Sequence, residues 1–194
     1  MLYDLGSGDG RIPIVAARDF GVKKAFGIEL NPNRIADADV AAQNTGVTDR
    51  VKFIEGDILK VDFSGATVVT MYLFGQVNLR LRPRILNELK PGTRIVSHQL
   101  HMFDWPPDDK VMVQDKVPVY FWIVPAKAAG TWQVTAGADV LALDLTQKFQ
   151  SVGGTVSLGG MKATLTKAGL KGATLTFDAI VKHEGADEPL HFEG

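Results

Sequence analysis

Apolar positions come in short runs separated by segments of helical period as far as about residue 125, and beyond that point the period falls to two. Leu2 to Leu5 predicts a strand that stops at a glycine cluster. Arg11 to Phe20 predicts a helix whose Pro13 is tolerated because it falls in the first turn, where its missing N–H has no intrahelical partner to lose. Ala25 to Leu30 predicts a second strand. Asn31 followed by Pro32 reads as an N-cap and first helical residue, opening a helix to about Asn44 with Gly46 just past its end. Val51 to Ile54 and Thr67 to Leu73 predict the third and fourth strands. Gln76 to Leu89 carries the next helical segment, interrupted or restarted at Pro83, and Lys90-Pro91-Gly92 turns into a fifth strand over Arg94 to Leu100. Strands alternating with helices predict a parallel sheet with right-handed crossovers and helices on both faces. Val111 to Gln114 and Val119 to Val124 have only four residues between them, which allows an antiparallel hairpin and no crossover, so the sheet ends mixed.

The second pattern alternates strictly. Leu141, Leu143 and Leu145, then Val156 and Leu158, then Leu175 and Phe177 fall two apart, with Gly153-Gly154, Gly159-Gly160 and Gly172 between the runs. This predicts a small antiparallel module whose core, at under 70 residues, is marginal alone and is expected to lean on the first domain. Composition changes in the same region: all eight arginines lie at or before Arg94, and later positive charge is entirely lysine. The boundary is placed at Pro125-Ala126, giving domains 1–125 and 126–194.

Charge and composition mainly exclude. Lys plus Arg is 21 against 22 for Asp plus Glu, so bulk electrostatics favour neither nucleic acid nor an anionic membrane. With no cysteine there is no disulfide scaffold, thiolate metal site or cysteine nucleophile, which fits a reducing compartment. The longest apolar stretches fall well short of the roughly 20 residues of a membrane helix. Met1 is followed at once by Leu2, Tyr3 and Asp4 with no signal-like segment, so the expected location is cytoplasmic.

The chemistry gathers where the first strand opens into the first helix. In Asp4-Leu5-Gly6-Ser7-Gly8-Asp9-Gly10 the glycines let a ligand approach backbone N–H groups and the positive helix end. Position 11 is Arg, so the dinucleotide fingerprint G-x-G-x-x-G fails and the spacing is G-x-G-x-G. An acid directly before the loop repels a pyrophosphate but suits an ammonium, so Asp4 points to an amino-acid nucleoside. Glu29 ends the second strand 19 residues after Gly10, where a carboxylate accepts both hydrogen bonds of a ribose diol. Asp57 follows the third strand, at the next place along the sheet edge, where an exocyclic base amine is read. Asp9 either touches the ligand or caps the helix.

On these residues the chain resembles the class I, S-adenosylmethionine-dependent methyltransferases. Asp4 to Gly10 looks like their first motif, Gly27-Ile28-Glu29 like the second and Gly56-Asp57-Ile58 like the third, over residues 1 to about 125. The resemblance implies a Rossmann-like α/β domain binding S-adenosylmethionine, followed by the small all-β module. It implies cofactor contacts at Asp4, Gly6, Ser7, Gly8, Gly10, Glu29, Leu30, Asp57, Ile58 and Tyr72. Tyr72-Leu73-Phe74, Asn78 to Pro83 and Glu88 to His98 resemble, more narrowly, a bacterial branch similar to the seven-strand protein lysine methyltransferases. That implies an amine acceptor: a protein lysine or a small amine. Family members carry helices before the first strand, whereas only Met1 precedes it here, so the expectation is either a fragment or an enzyme without that lid.

For a lysine, an aromatic and poorly solvated channel favours the neutral amine. Tyr72, directly after the fourth strand, is where such a channel opens and is the catalytic candidate, with Phe74, His98 and Trp105 as walls; the alternative is an ordinary aromatic packed under the sheet edge. Thr70-Met71-Tyr72-Leu73 differs from the Asn/Asp-Pro-Pro-aromatic run of base-amine methylating enzymes, which disfavours nucleic acid. His98 and His101 with Asp104 are not expected to hold a metal, because strand-end imidazoles three apart point to different faces. Arg80, Arg82 and Arg84 are expected to be a solvated surface rather than a phosphate-binding stripe. Besides amine methylation, two readings stay open: a small-molecule O- or N-methyltransferase, and a cofactor-binding remnant acting through its β-module.

Overall fold

The computed structural model describes residues 1–136, 139–183 and 186–194. Contacts divide the chain into two units, Met1–Val124 and Pro125–Gly194. In the first, β1 (Leu2–Leu5), β2 (Ala25–Glu29), β3 (Val51–Glu55), β4 (Val68–Met71) and β5 (Arg94–His98) are parallel, and β6 (Asp109–Val113) and β7 (Val117–Ile123) form the antiparallel hairpin. The order β3-β2-β1-β4-β5-β7-β6 puts the reversal of winding between β1 and β4, with β7 antiparallel to β5. In open α/β sheets ligands bind in the crevice at the carboxyl edge of such a reversal.

Period-two alternation decides which side chains meet which helix. Leu2 and Val68 pack with Ile14, Ala16 and Ala17 of α1 (Arg11–Asp19) and with Ala42 of α2 (Pro32–Thr45). On the opposite face Ser97 accepts a hydrogen bond from Asn78 Nδ2 of α3 (Gly75–Glu88) at 3.3 Å, both side chains being fully buried. Helices therefore cover both faces, as the alternation of elements predicts.

Several element limits differ from expectation, and for α3 and β5 the physical reasons are plain. Pro83 does not interrupt α3, because Asn78 and Leu81 before it and Ile85 after it are all fully buried and tertiary packing outweighs the lost backbone bond. Strand β5 ends at His98 and not at Leu100, because Gln99 leaves the extended region with φ 69. Trp105, expected as a channel wall, is fully buried and packs against Trp122, whose Nε1 donates to the Trp105 carbonyl at 3.2 Å.

The second unit is all antiparallel: β8 (Gly130–Ala136), β9 (Asp139–Lys148), β10 (Ser151–Leu158), β12 (Thr166–Lys171), β13 (Thr174–His183) and β14 (Ala186–Glu193) lie in the order β14-β13-β12-β10-β9-β8, with β11 (Met161–Thr164) pairing with β10. The alternating residues Leu141, Leu143, Leu145, Val156, Leu175 and Phe177 form its core. Among the described residues no helix is long and apolar enough to cross a membrane.

Candidate active site

The loop after β1 is built on left-handed backbone. Gly6, Gly8 and Gly10 have φ 77, 55 and 76, which carries the chain from the sheet edge into α1. A Cβ on Gly6 would lie 2.6 Å from Leu73 Cδ2, and one on Gly10 would collide with the Phe53 ring and lie 2.9 Å from Ala38 Cβ. Gly10→Ala is therefore expected to cost more than about 2 kcal/mol, from the left-handed conformation plus the overlap, read as a fall in the thermal midpoint without added cofactor.

Glu29 ties this loop to the neighbouring strand. Its Oε2 accepts from Gly8 N at 2.9 Å, and its Oε1 accepts from Leu30 N and Asn31 N at 2.9 and 3.0 Å. The Gly6 and Ser7 amides donate to Ile28 O at 2.8 and 3.0 Å. The Asn31 side chain caps α2 by accepting from Asn33 N at 3.0 Å. Ser7 Oγ is buried without a hydrogen-bond partner among the described residues.

Asp4 is 2% exposed and accepts from Thr70 Oγ1 at 2.6 Å. Burial pushes its carboxyl up to about 7; the Thr70 hydrogen bond opposes this, and the negative charges of Asp9 and Glu29 add to it. Asp9 instead pairs with Arg11, whose Nε and Nη2 reach it at 2.9 and 2.5 Å, and that hydrogen bond holds the Asp9 carboxyl below its usual range. Asp9 Oδ1 also accepts from the backbone N of Arg11, the first residue of α1, at 3.3 Å, while Gly10 occupies the N-cap position itself.

Two clefts meet at Gly6. One, of about 350 Å³, is lined by Asp4, Ser7, Gly8, Arg34 and Tyr72; the other, of about 370 Å³, by Glu29, Leu30, Asp57, Ile58 and Arg80. Every residue expected to contact the cofactor lines one of them except Gly10, which closes the loop behind. Asp57 Oδ1 also accepts from Leu59 N at 2.9 Å, bending the chain after β3. Tyr72 is 59% exposed, donates its hydroxyl to Gln99 Oε1 at 3.2 Å and meets the His98 ring edge to face at 4.4 Å, so it is not packed under the sheet edge. Phe74 is 82% exposed beside it in sequence.

Arg34 and Arg80 are cleft residues that sequence reasoning did not single out as binding groups. The signal for Arg34 was a cation in the first turn of α2, which carries no acid there, against the preference set by the helix dipole. Of the three arginines expected to form a solvated surface, Arg80 is exposed, but Arg82 and Arg84 are not solvated freely. Arg82 donates to Met102 O at 3.0 Å and to Asp104 at 2.5 Å; Arg84 donates to Ile58 O and Val61 O at 3.0 and 3.1 Å, pairs with Glu88 and lies over the Phe63 ring. Both fasten loops to α3. His101 Nδ1 accepts from Phe103 N at 2.9 Å, and Asp104 is taken by Arg82.

A parallel sheet with its winding reversed at a glycine loop, acids at the ends of β1 and β2, and a cleft on each side of that loop define a class I, S-adenosylmethionine-dependent methyltransferase. Residues 4–109 match the ANTKMT methyltransferase domain, and the chain belongs to that family. It is similar to a protein-lysine N-methyltransferase of Saccharolobus islandicus (strain REY15A), 46% identical over 64% of this chain and 79% of that protein. It is similar to the adenine nucleotide translocase lysine N-methyltransferase of Mus musculus, 30% identical over 73% of this chain, and spans 60% of that protein's length. Among solved structures it resembles an RNA methyltransferase from Salinibacter ruber in complex with S-adenosyl-L-homocysteine, with a TM-score of 0.63 and 46% identity over 66% of this chain and 82% of that one.

Proposed function

We propose that the chain methylates the side-chain amine of a protein lysine, with residues 1–125 carrying the site. The observation that carries the reading is the cleft joining buried Asp4 to exposed Tyr72 across the β1–β4 reversal. The identity to a protein-lysine N-methyltransferase over most of that protein's length supports it. The residues fit S-adenosylmethionine: Asp4 would meet the ammonium of its amino-acid end, Ser7 Oγ is a buried polar atom in want of a partner, and Glu29 with Asp57 would hold the nucleoside end. When bound, the cofactor would supply a methyl group on a positive sulfur; the amine, its ammonium proton first lost to water, would form the C–N bond with its lone pair while the S–C electron pair stays on sulfur, leaving a methylated ammonium. The chain's part is to hold the two reactants in register and to keep water from the amine, with Tyr72 at the channel wall.

The likeness to an RNA methyltransferase from Salinibacter ruber favours a second reading, an RNA acceptor. Against it stand a formal net charge of −1 and the engagement of Arg82 and Arg84 with the fold. Incubation of the protein with tritiated S-adenosylmethionine and a whole-cell lysate separates the two. Label released as methyllysine after acid hydrolysis of protein is expected; label that nuclease releases as methylated nucleoside would replace the lysine reading.

A further inference from the structure

The turn after β5 holds a conformation its residues do not favour. Gln99 sits at φ 69, a left-handed conformation that a residue with a side chain rarely adopts. Buried polar groups impose it. Ser97 Oγ donates to Leu100 O at 2.6 Å and Asn78 Nδ2 donates to the same carbonyl at 3.3 Å, while Gln99 N donates to Pro118 O, next to β7's Val119, at 2.7 Å. The turn is thereby pinned from α3 below and from β7 beside it.

The pinned turn aims the Gln99 side chain at Tyr72. Leu5, Met71 and Ser97 form the last paired row across β1, β4 and β5, so Gly6, Tyr72 and His98 follow side by side at the carboxyl edge. Gln99 Oε1, one residue further, accepts the Tyr72 hydroxyl at 3.2 Å. A phenol carries one proton and two lone pairs. With its proton directed to Gln99, the Tyr72 oxygen meets the cleft as an acceptor only.

We propose that Gln99 is a positioning residue for Tyr72: by accepting the hydrogen bond of the phenol it leaves the lone pairs of the Tyr72 oxygen to accept an N–H of the incoming amine. The proposal rests on the reading above for the identity of that amine. An amine held by one N–H keeps its lone pair free to face the methyl group, which is the orientation in-line displacement requires. A carbonyl or carboxylate brought to the same place meets lone pairs and is rejected, so the contact also selects among the groups of a protein surface.

A double-mutant cycle on the full chain tests this, with tritiated S-adenosylmethionine, a whole-cell lysate as acceptor, and S-adenosylhomocysteine affinity measured separately. Gln99→Leu and Tyr72→Phe are each expected to lower kcat about tenfold, and the double variant to be no worse than Tyr72→Phe, because both remove one contact. Product affinity should stay within about twofold in Gln99→Leu, and Gln99→Glu, which keeps an acceptor oxygen, should retain most of the activity. Losses that multiply in the double variant, an undiminished kcat in Gln99→Leu, or product affinity falling in step with kcat in Gln99→Leu would overturn the assignment. Label in RNA and not in lysine would defeat the lysine reading alone, since the same cycle run on the labelled RNA still decides the role of Gln99.

Discussion

Cofactor affinity is expected to rise about tenfold per pH unit up to the Asp4 pKa and to fall again above about 8, because one proton must leave Asp4 before its carboxylate can face an ammonium, and that α-ammonium itself loses its proton at higher pH. The Asp4 carboxyl stands at about 7 through burial, with the Asp9 and Glu29 charges adding to it, so a fraction of the protein near neutrality carries it protonated. Calorimetry in two buffers of different ionisation enthalpy should show close to one proton released per cofactor bound below that pH, and proton uptake once the pH passes the α-ammonium's own range of about 8. The same shift sets a stability profile. The folded pKa is raised above the unfolded value of 3.8, so the folded state binds the extra proton between 3.8 and about 7, and stability falls as pH climbs through that window. The loss across it is on the order of 4 kcal/mol.

Asp4→Asn removes the ionisation. It is expected to flatten the stability profile and to make the cofactor-free protein more stable than wild type above the Asp4 pKa, while weakening cofactor at least about tenfold, the loss of one charge-assisted contact. The Thr70 hydroxyl, 2.6 Å from Asp4 Oδ1, can still donate to the amide oxygen, so the fold is preserved. Thermal midpoints across the pH range, with and without S-adenosylhomocysteine, check both halves. A variant less stable than wild type at high pH would mean that the buried carboxylate is supported in ways the Thr70 hydrogen bond does not capture.

The fold of the first unit was legible because each of its determinants is local. The switch between periods, Asn31 before Pro32, Gly46 after the helix and a glycine loop ahead of Arg11 are all readable from a few adjacent residues, and they gave β1 to β5 and both flanking helices. The acids Asp4, Glu29 and Asp57 were legible for the same reason, since each ends a strand or follows one. What escaped depends on distant partners. Arg84 reads as one of three alternating arginines, and only the folded chain shows Ile58 O and Val61 O beneath it. Trp105 reads as a wall because it follows β5 in sequence, yet Trp122 on β7 draws it into the core. Gln99 carries no sequence signal at all, because its left-handed backbone is imposed by Asn78 and Ser97 through Leu100.

Glu29→Ala is expected to do two separable things. The sequence suggests a carboxylate held only for a ribose diol, whose removal weakens cofactor without touching the fold. The structure adds that Gly8, Leu30 and Asn31 donate their amides to it, so the variant leaves the Gly8 amide, which is only partly solvated, without its charged partner. Hydrogen bonds to a charged group contribute roughly 1.5 to 3 kcal/mol, which for a chain of this size lowers the thermal midpoint by roughly 5 °C. Cofactor affinity should fall at least about tenfold further than that local loosening explains if the remaining carboxylate lone pairs also hold the diol. Comparing S-adenosylhomocysteine with an analogue lacking the 2′ and 3′ hydroxyls separates the roles. Loss of the hydroxyls should cost the wild type at least about tenfold in affinity and cost Glu29→Ala almost nothing, since the partner is already gone. An equal penalty in both proteins would confine Glu29 to bracing the loop between β1 and α1, and would move recognition of the ribose to Asp57 or Arg80 in the same cleft.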